Sequence, residues 1–201
     1  MKKILFIATG GTIASAKTEN GLTPAITSEE LLNAVPQVKN LCAVDTVQPY
    51  SLDSTNMCWK QWIHVAEIIR DNYAKYDGFV IAHGTDTLSY AAATLSYLIQ
   101  KNEKPVVLTG AQKSIEVPDG DARRNLFEAF VYATDARACG THVVFNGHVT
   151  LQAPAPEKRI QRALTPFPAL ISRISACSTI KNFCAILMSA RNAPARCSTI
   201  N

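Results

Sequence analysis

Two short stretches carry side chains that can do chemistry: Thr9-Gly10-Gly11-Thr12 and His83-Gly84-Thr85-Asp86-Thr87. Each follows a short apolar run. A hydroxyl placed straight after a glycine turn is a candidate nucleophile, and Thr12 is that residue. A free threonine hydroxyl is a weak nucleophile and needs a base beside it. His83 sits where a strand ends before a glycine. An imidazole there supports the turn by hydrogen bonding, so this structural role is favoured over that of the base. Asp86 has two compatible readings, a helix N-cap that satisfies backbone donors and an acid that holds an ammonium group or a water. Thr85 is a turn residue or a second working hydroxyl, and its pairing with the Thr12 turn favours the second. His64, His142 and His148 read as helix, strand and loop residues without a task.

The elements that must position these groups alternate along the chain. Residues 4–8 are apolar, β-branched and bounded by glycine, which predicts a buried strand. Ser15 to Thr23 is polar, ends at Asn20-Gly21 and Pro24, and reads as a loop long enough to serve as a mobile lid. Thr27 followed by Glu29 and Glu30 starts a short helix that Pro36 stops. Residues 41–47 are a second strand. After the turn-forming segment 49–56, Trp59, Trp62, Ile63, Ala66, Ile69 and Tyr73 recur at helical spacing. Residues 79–82 form a third strand, 88–99 a helix, and 104–110 a fourth strand. Asp119-Gly120-Asp121 is expected to cap another helix. Residues 141–145 form a fifth strand closed by Asn146-Gly147.

Strand–helix alternation implies an α/β fold, a parallel, Rossmann-like sheet with helices on both faces. Right-handed crossovers would bring every strand's carboxyl end to one edge, where ligands bind in such sheets. That edge is expected to collect Thr12, the Asp53-Ser54-Thr55 segment, Thr85-Asp86 and the turn 109–112.

Length and composition narrow the classes. The 201 residues give room for one domain, or one and a fraction. No apolar run approaches membrane-spanning length. The basic start Met1-Lys2-Lys3 leads into an apolar stretch too short for a signal peptide, which predicts a cytoplasmic protein. Cys42, Cys58, Cys139, Cys177, Cys184 and Cys197 show neither Cys-x-x-Cys pairing nor zinc spacing and read as reduced thiols. Thr9–Ala14 lacks the G-x-G-x-x-G spacing of a dinucleotide fingerprint, and no Gly-Lys-Ser/Thr marks a P-loop. Residues 1–149 hold 13 basic and 15 acidic side chains, net −2, and residues 150–201 hold 7 and 1, net +6. The net charge of +4 therefore belongs to the tail, and the globular part carries no nucleic-acid signature.

The segments TGGTIAS at 9–15 and GFVIAHGTDTLSYAA at 78–92 resemble the two signature segments of bacterial-type L-asparaginases. NGLTP at 20–24, YSLDSTNM at 50–57 and KPVVLTGAQ at 104–112 also fit, and favour the cytoplasmic, type I-like branch. The resemblance covers residues 1–149. It implies that Thr12 attacks the side-chain amide carbon of asparagine, and that ammonia leaves before water releases aspartate. It makes Thr85 and Asp86 the second threonine and its aspartate, the aspartate gripping the substrate's α-ammonium. Asp53, Ser54 and Thr55 match the segment that binds the α-carboxylate and amine. The Gly10-Gly11 and Gly84 turns would let backbone donors reach the oxyanion. No metal or organic cofactor is implied. A lid tyrosine found in some family members is missing from 20–24. The resemblance also implies a second, smaller α/β domain and a homo-oligomer that completes each site. The chain shows no room for that domain, which puts the oligomer and full activity in doubt. The related amidase-like subunit of a tRNA-dependent amidotransferase is the alternative enzyme reading, although it carries extra sequence before TGGTI. An inactive fragment is the non-enzyme reading.

Residues 150–201 break the pattern. All nine glycines precede residue 150, and five of the ten prolines follow it. The family's Gly-Thr-Arg-Ala-x-Lys and Asp-Ala-Phe-x-Ser-Ile-Asn motifs are not in this frame. Codons for residues 153–159 and 164–173 can be chosen so that, read one base early, they give both motifs in family order. The tail is therefore expected to be a frame-shifted, poorly ordered translation. Lys158 falls near the place of the family's lysine, but it receives no role.

Overall fold

The computed structural model describes residues 1–18, 21–100 and 102–151. Asn20 of the lid stretch, Lys158 and the expected frame shift beyond residue 151 lie outside the described residues.

The chain begins with β1 (Lys2–Ala8), in which residues 4–8 are all buried. Burial on both faces is what a continuous apolar run in a parallel strand means. The stretch expected as a loop lid is instead a hairpin. β2 (Ser15–Thr18) and β3 (Gly21–Pro24) pair antiparallel with Ser15 opposite Pro24. Its residues are too polar to show strand alternation, so the backbone pairing left no mark in the side chains. α1 (Ser28–Asn33) starts as expected, with a reciprocal capping box between Thr27 and Glu30. β4 (Cys42–Val47), α2 (Trp59–Asn72), β5 (Gly78–Ala82), α3 (Leu88–Leu98), β6 (Pro105–Thr109), α4 (Ala122–Thr134) and β7 (Gly140–Phe145) follow. Asn146 and Gly147 both have positive φ, 51° and 75°, the requirement of a two-residue hairpin turn. They lead into β8 (His148–Leu151). β8 runs two residues past the boundary expected at 149/150.

The main sheet has the order β4-β1-β5-β6-β7-β8, parallel except for the last pair. The chain steps outward from β1 to β4 and then returns past β1 to β5. The point of reversal lies between β1 and β5, where open α/β sheets form their crevice.

One layer packs Ile4, Phe6, Ala8, Val80, Ala82, Val107 and Val144 against α1 and α4 through Leu31, Leu126, Ala129 and Phe130. The alternate strand residues Leu5, Ile7, Phe79, Ile81, Val106 and Leu108 are buried too. They face α2 and α3, which pack on each other; Tyr73 at the end of α2 stacks on Phe79. This arrangement corrects one expectation. α4 lies on the face of α1, yet its connection, β6 to β7, runs across the sheet opposite to α1's, β1 to β4. Two connections that run in opposite directions with helices on one face have opposite hands. The connections through α1, α2 and α3 share the right-handed rule, and β6–α4–β7 is left-handed. The chain reaches α4 by a long segment, 110–121, laid across the carboxyl edge of the sheet.

Two expected caps also differ. Asp121 stands at the N-cap position of α4 but caps nothing. Its carboxylate accepts from the backbone N–H of Gln112 at 2.8 Å and Lys113 at 3.0 Å. Asp86 lies inside the 3-10 turn Thr85–Thr87, and Thr87 holds the N-cap position of α3. The extra tight turn shifts the helix start by one residue, so the carboxylate of Asp86 is exposed rather than folded onto the helix end.

The ring of Phe130 is fully buried and lies 5.7 Å from that of Phe6, where α4 meets β1. Phe130→Ala should lower the unfolding free energy by about 3–5 kcal/mol, read as a lower urea midpoint with an unchanged slope.

Candidate active site

Three turns meet at the reversal point without side chains between them. Gly11 has φ of +79°, and a methyl group added to it would overlap the backbone of Gly84. A methyl on Gly84 would lie 2.5 Å from Ser54 Oγ. Only glycine meets both demands, the left-handed backbone at Gly11 and the close approach at Gly84. The Thr12 turn, the Ser54 turn and the Thr85 turn are thereby stacked edge to edge. Segment 109–113 closes the group, because a methyl on Gly110 would lie 2.5 Å from the His83 carbonyl oxygen and 3.3 Å from Thr85 Cγ2.

Backbone bonds extend the sheet into these turns. Leu52 N–H donates to Thr9 O at 3.1 Å, and Gly11 N–H donates to Leu52 O at 2.8 Å. The second bond corrects an expectation, since the amide of Gly11 is committed to Leu52 and does not serve an oxyanion. His83 N–H donates to Thr109 O at 2.9 Å. The hairpin is tied in as well: Ser51 Oγ donates to Pro24 O at 2.6 Å.

The hydroxyls of this edge divide into two groups. Thr9 donates to Ala82 O at 2.9 Å, Thr87 to Ser54 O at 2.9 Å, Thr109 to Val144 O at 2.8 Å and Ser15 to Gly11 O at 3.0 Å. These hydroxyls are structural, spent on backbone carbonyls; those of Ala82, Gly11 and Ser54 also accept a backbone N–H, so the hydroxyl fills a second lone pair. The side-chain hydroxyls of Thr12, Ser54 and Thr85 make no hydrogen bond among the described residues. Thr12 is half-buried, while Ser54 is 2% and Thr85 8% exposed. None of the three is among the fully buried oxygens without a partner, which include Ser89 Oγ and Thr141 Oγ1; they are uncommitted hydroxyls at one edge rather than sealed ones.

The flanking carboxylates are exposed. Asp53 caps the 3-10 turn Ser54–Asn56, accepting at 2.8 Å from both the N–H and the hydroxyl of Thr55. Asp53 and Thr55 therefore form one tied unit beside Ser54. Asp86 has no partner among the described residues. The structure thus brings Thr12, Ser54 and Thr85 together, with Asp53, Thr55 and Asp86 at the rim. Sequence reasoning placed the 109–112 turn at this edge but missed its supports, Asp121 and Asn125; their only trace was the Asp-rich start of α4, which reads as an ordinary cap. No set of three His, Cys, Asp or Glu side chains among the described residues is arranged to hold a metal.

His83 is 1% exposed, and its Nδ1 lies 2.8 Å from Gly84 O. A carbonyl only accepts, so Nδ1 carries the proton and supports the turn. Nε2 has no partner among the described residues. Burial pushes the pKa of His83 below its ordinary 6.5, the bond to Gly84 opposing only in part. The ring is therefore neutral.

The family description "Asparaginase, N-terminal" matches residues 3–167. The L-asparaginase of Thermococcus kodakarensis is 38% identical over 150 residues, 74% of this chain and 45% of that protein. A glutamyl-tRNA(Gln) amidotransferase component from Methanococcus vannielii is 37% identical over 153 residues, 74% of this chain and 35% of that protein. A solved structure described as a probable cytoplasmic L-asparaginase from Campylobacter jejuni superposes with a TM-score of 0.67 at 33% identity. It covers 76% of this chain and 46% of that one. The chain spans less than half the length of these relatives.

The neutral His83 predicts a pH dependence. The unfolded chain takes up a proton at His83 near pH 6.5 and the folded one resists it, so this stability is present above 6.5 and is lost as the pH falls below it. Between pH 7 and 5 the unfolding free energy should fall more for the unaltered chain than for His83→Asn, measured by urea titration at each pH.

Proposed function

Because the chain belongs to the asparaginase family, we propose that its described residues hold the nucleophile side of an amide-hydrolysing site for L-asparagine. The observation that carries this reading is the group of uncommitted hydroxyls, Thr12, Ser54 and Thr85, at an edge where those of Thr9, Ser15, Thr87 and Thr109 are spent on backbone carbonyls.

Thr12 Oγ1 attacks the side-chain amide carbon, giving up its proton to a base. The C–N bond breaks, ammonia leaves with a proton, and an ester to Thr12 remains. Water then attacks the ester, Thr12 recovers its proton, and aspartate departs. Thr85 supplies the second hydroxyl. Asp86, exposed at the rim, takes the α-ammonium by a charge-assisted hydrogen bond. Asp53, Ser54 and Thr55 hold the α-carboxylate and amine, Ser54 donating to the carboxylate, Asp53 accepting from the amine and Thr55 holding Asp53 in place. The family resemblance gives the base as a lysine paired with Thr85, and no described residue is assigned that task. We further place the protein in the cytoplasm, consistent with the Campylobacter relative, and expect a homo-oligomer. No helix among the described residues is long and apolar enough to cross a membrane.

A second reading rests on the amidotransferase relatives, whose identity to this chain is nearly that of the asparaginase. There the same cleavage would deliver ammonia to a partner's acceptor. Hydrolysis of free asparagine with no acceptor present favours the first reading.

The frame-shifted reading of the chain from about residue 150 remains a proposal that the gene decides. An open frame one base early, carrying both family motifs, is the expected result, and stop codons there would remove the idea.

For the chemistry, ammonia release from asparagine and from glutamine is measured on the 201-residue chain. The expected rate is far below that of full-length relatives. Whatever rate is found should drop by about a thousandfold or more, or to background, in Thr12→Ala. A rate that survives that substitution would remove Thr12 as the nucleophile.

A further inference from the structure

We infer that Asp121 and Asn125 are positioning residues: they clamp the segment that crosses the sheet edge, and that segment sets the place of Thr12 relative to Thr85. The inference deepens the reading given under the proposed function and rests on it for its link to catalysis.

The left-handed crossover creates the need. Segment 110–121 leaves β6 and passes over the edge of the sheet to reach α4 on the opposite layer. No strand pairs with its backbone. The Gly110 carbonyl is buried, whereas the Gln112 and Lys113 amides lie at the exposed surface, so their bonds fix the segment's place rather than relieve a burial cost. Asp121 and Asn125 supply the partners from α4. The carboxylate of Asp121 accepts from two consecutive amides, Gln112 N–H at 2.8 Å and Lys113 N–H at 3.0 Å. Asn125 is fully buried. Its Nδ2 donates to Gly110 O at 2.9 Å and to Asp121 Oδ2 at 3.1 Å, and its Oδ1 accepts from Asn146 N–H at 2.9 Å. One amide group thus joins the ends of β6 and β7 and orients the carboxylate. Both of its donor hydrogens are used, and its oxygen is occupied.

The clamped segment then touches both working turns. At one end Gly110 abuts the His83 carbonyl and the Thr85 methyl group. At the other, Ile115 N–H donates to Ile13 O at 3.2 Å, and the Ser114 hydroxyl donates to Ser15 O. The Ser15 hydroxyl returns to Gly11 O at 3.0 Å. A continuous chain of bonds therefore runs from α4 through 110–115 to the residues on either side of Thr12, and packs on Thr85. Neither Asp121 nor Asn125 has to touch a substrate to control the gap between the two hydroxyls. A displacement of about 1 Å in such a site costs up to about 100-fold in rate.

The test compares Asp121→Ala and Asp121→Asn with the unaltered full chain. Asp121→Asn keeps one accepting oxygen and should fall between the other two proteins; it also serves if the alanine variant does not fold. In Asp121→Ala the amides of Gln112 and Lys113 should exchange hydrogen at least about tenfold faster. The backbone resonances of Thr12 and Thr85 should shift, while those of β4 and α2 stay in place. Asparagine turnover should lose about 10- to 100-fold in kcat with KM changed by less than about threefold. Fast exchange at Gln112 and Lys113 with unmoved Thr12 and Thr85 resonances overturns the inference, as does an unchanged kcat. If the unaltered chain shows no measurable turnover, which the proposed function accommodates because no described residue is assigned as the base, the resonances of Thr12 and Thr85 decide the clamp alone.

Discussion

Where Gly11 lies against Gly84, two backbones touch with no room for a methyl group between them. That contact sits between β1 and β5, the pair of strands at which the sheet reverses direction. The order of the strands makes a crevice there; the two glycines decide how narrow it is. With any larger residue the turns would separate, and the hydroxyls of Thr12 and Thr85 would belong to different pockets. The positive φ of Gly11 adds a second constraint, since it directs the chain into the 3-10 turn that begins at Thr12. Steric demand and backbone conformation thus select the same residue.

Hydrogen bonding then sorts the side chains that crowd this edge. A backbone carbonyl can accept two hydrogen bonds, and a short hydroxyl side chain can supply the second. Thr9, Thr87, Thr109 and Ser15 are used in that way. The same residue types at 12, 54 and 85 are withheld from it. His83 belongs with the structural group: its proton is aimed at Gly84 O, and its burial disfavours the charged ring. An edge rich in hydroxyls therefore contains a bonded scaffold and a smaller uncommitted set, separated by which oxygens already have partners.

Much of this was legible in the residues because it follows from period and punctuation. Four of the five parallel strands are short apolar runs with a glycine within two residues of their end, β4 being the exception, and α2 shows its apolar stripe plainly. The close meeting of the 12, 54 and 85 turns followed from strand order alone. The remainder was hidden for physical reasons. The sequences of β2 and β3, Ser-Ala-Lys-Thr and Gly-Leu-Thr-Pro, have no apolar alternation, so their pairing leaves no pattern. The hand of the β6–β7 crossover depends on which layer receives Phe130 and Leu126, and an amphipathic helix reads alike on either layer. Asp121 has the sequence position of a cap, but its carboxylate serves amides eight and nine residues earlier in the chain, a long-range use that local spacing does not reveal. Asp86 shifted out of its expected cap because a single 3-10 turn precedes α3.

The reversed hand of that crossover bears on how the site is enclosed. A right-handed connection would have carried the chain from β6 directly onto the layer of α2 and α3, leaving the crevice edge open beside Thr85. Crossing to the layer of α1 instead lays 110–115 over the edge, next to both working turns. The same crossing strips that segment of sheet partners, so polar side chains must replace them. Asn125 does so from complete burial, with both of its donor hydrogens used and its oxygen accepting one bond. The rare topology and the buried amide are therefore one feature. A left-handed connection gives the site a third wall, and the Asn125–Asp121 pair is what allows that wall to stand without a neighbouring strand.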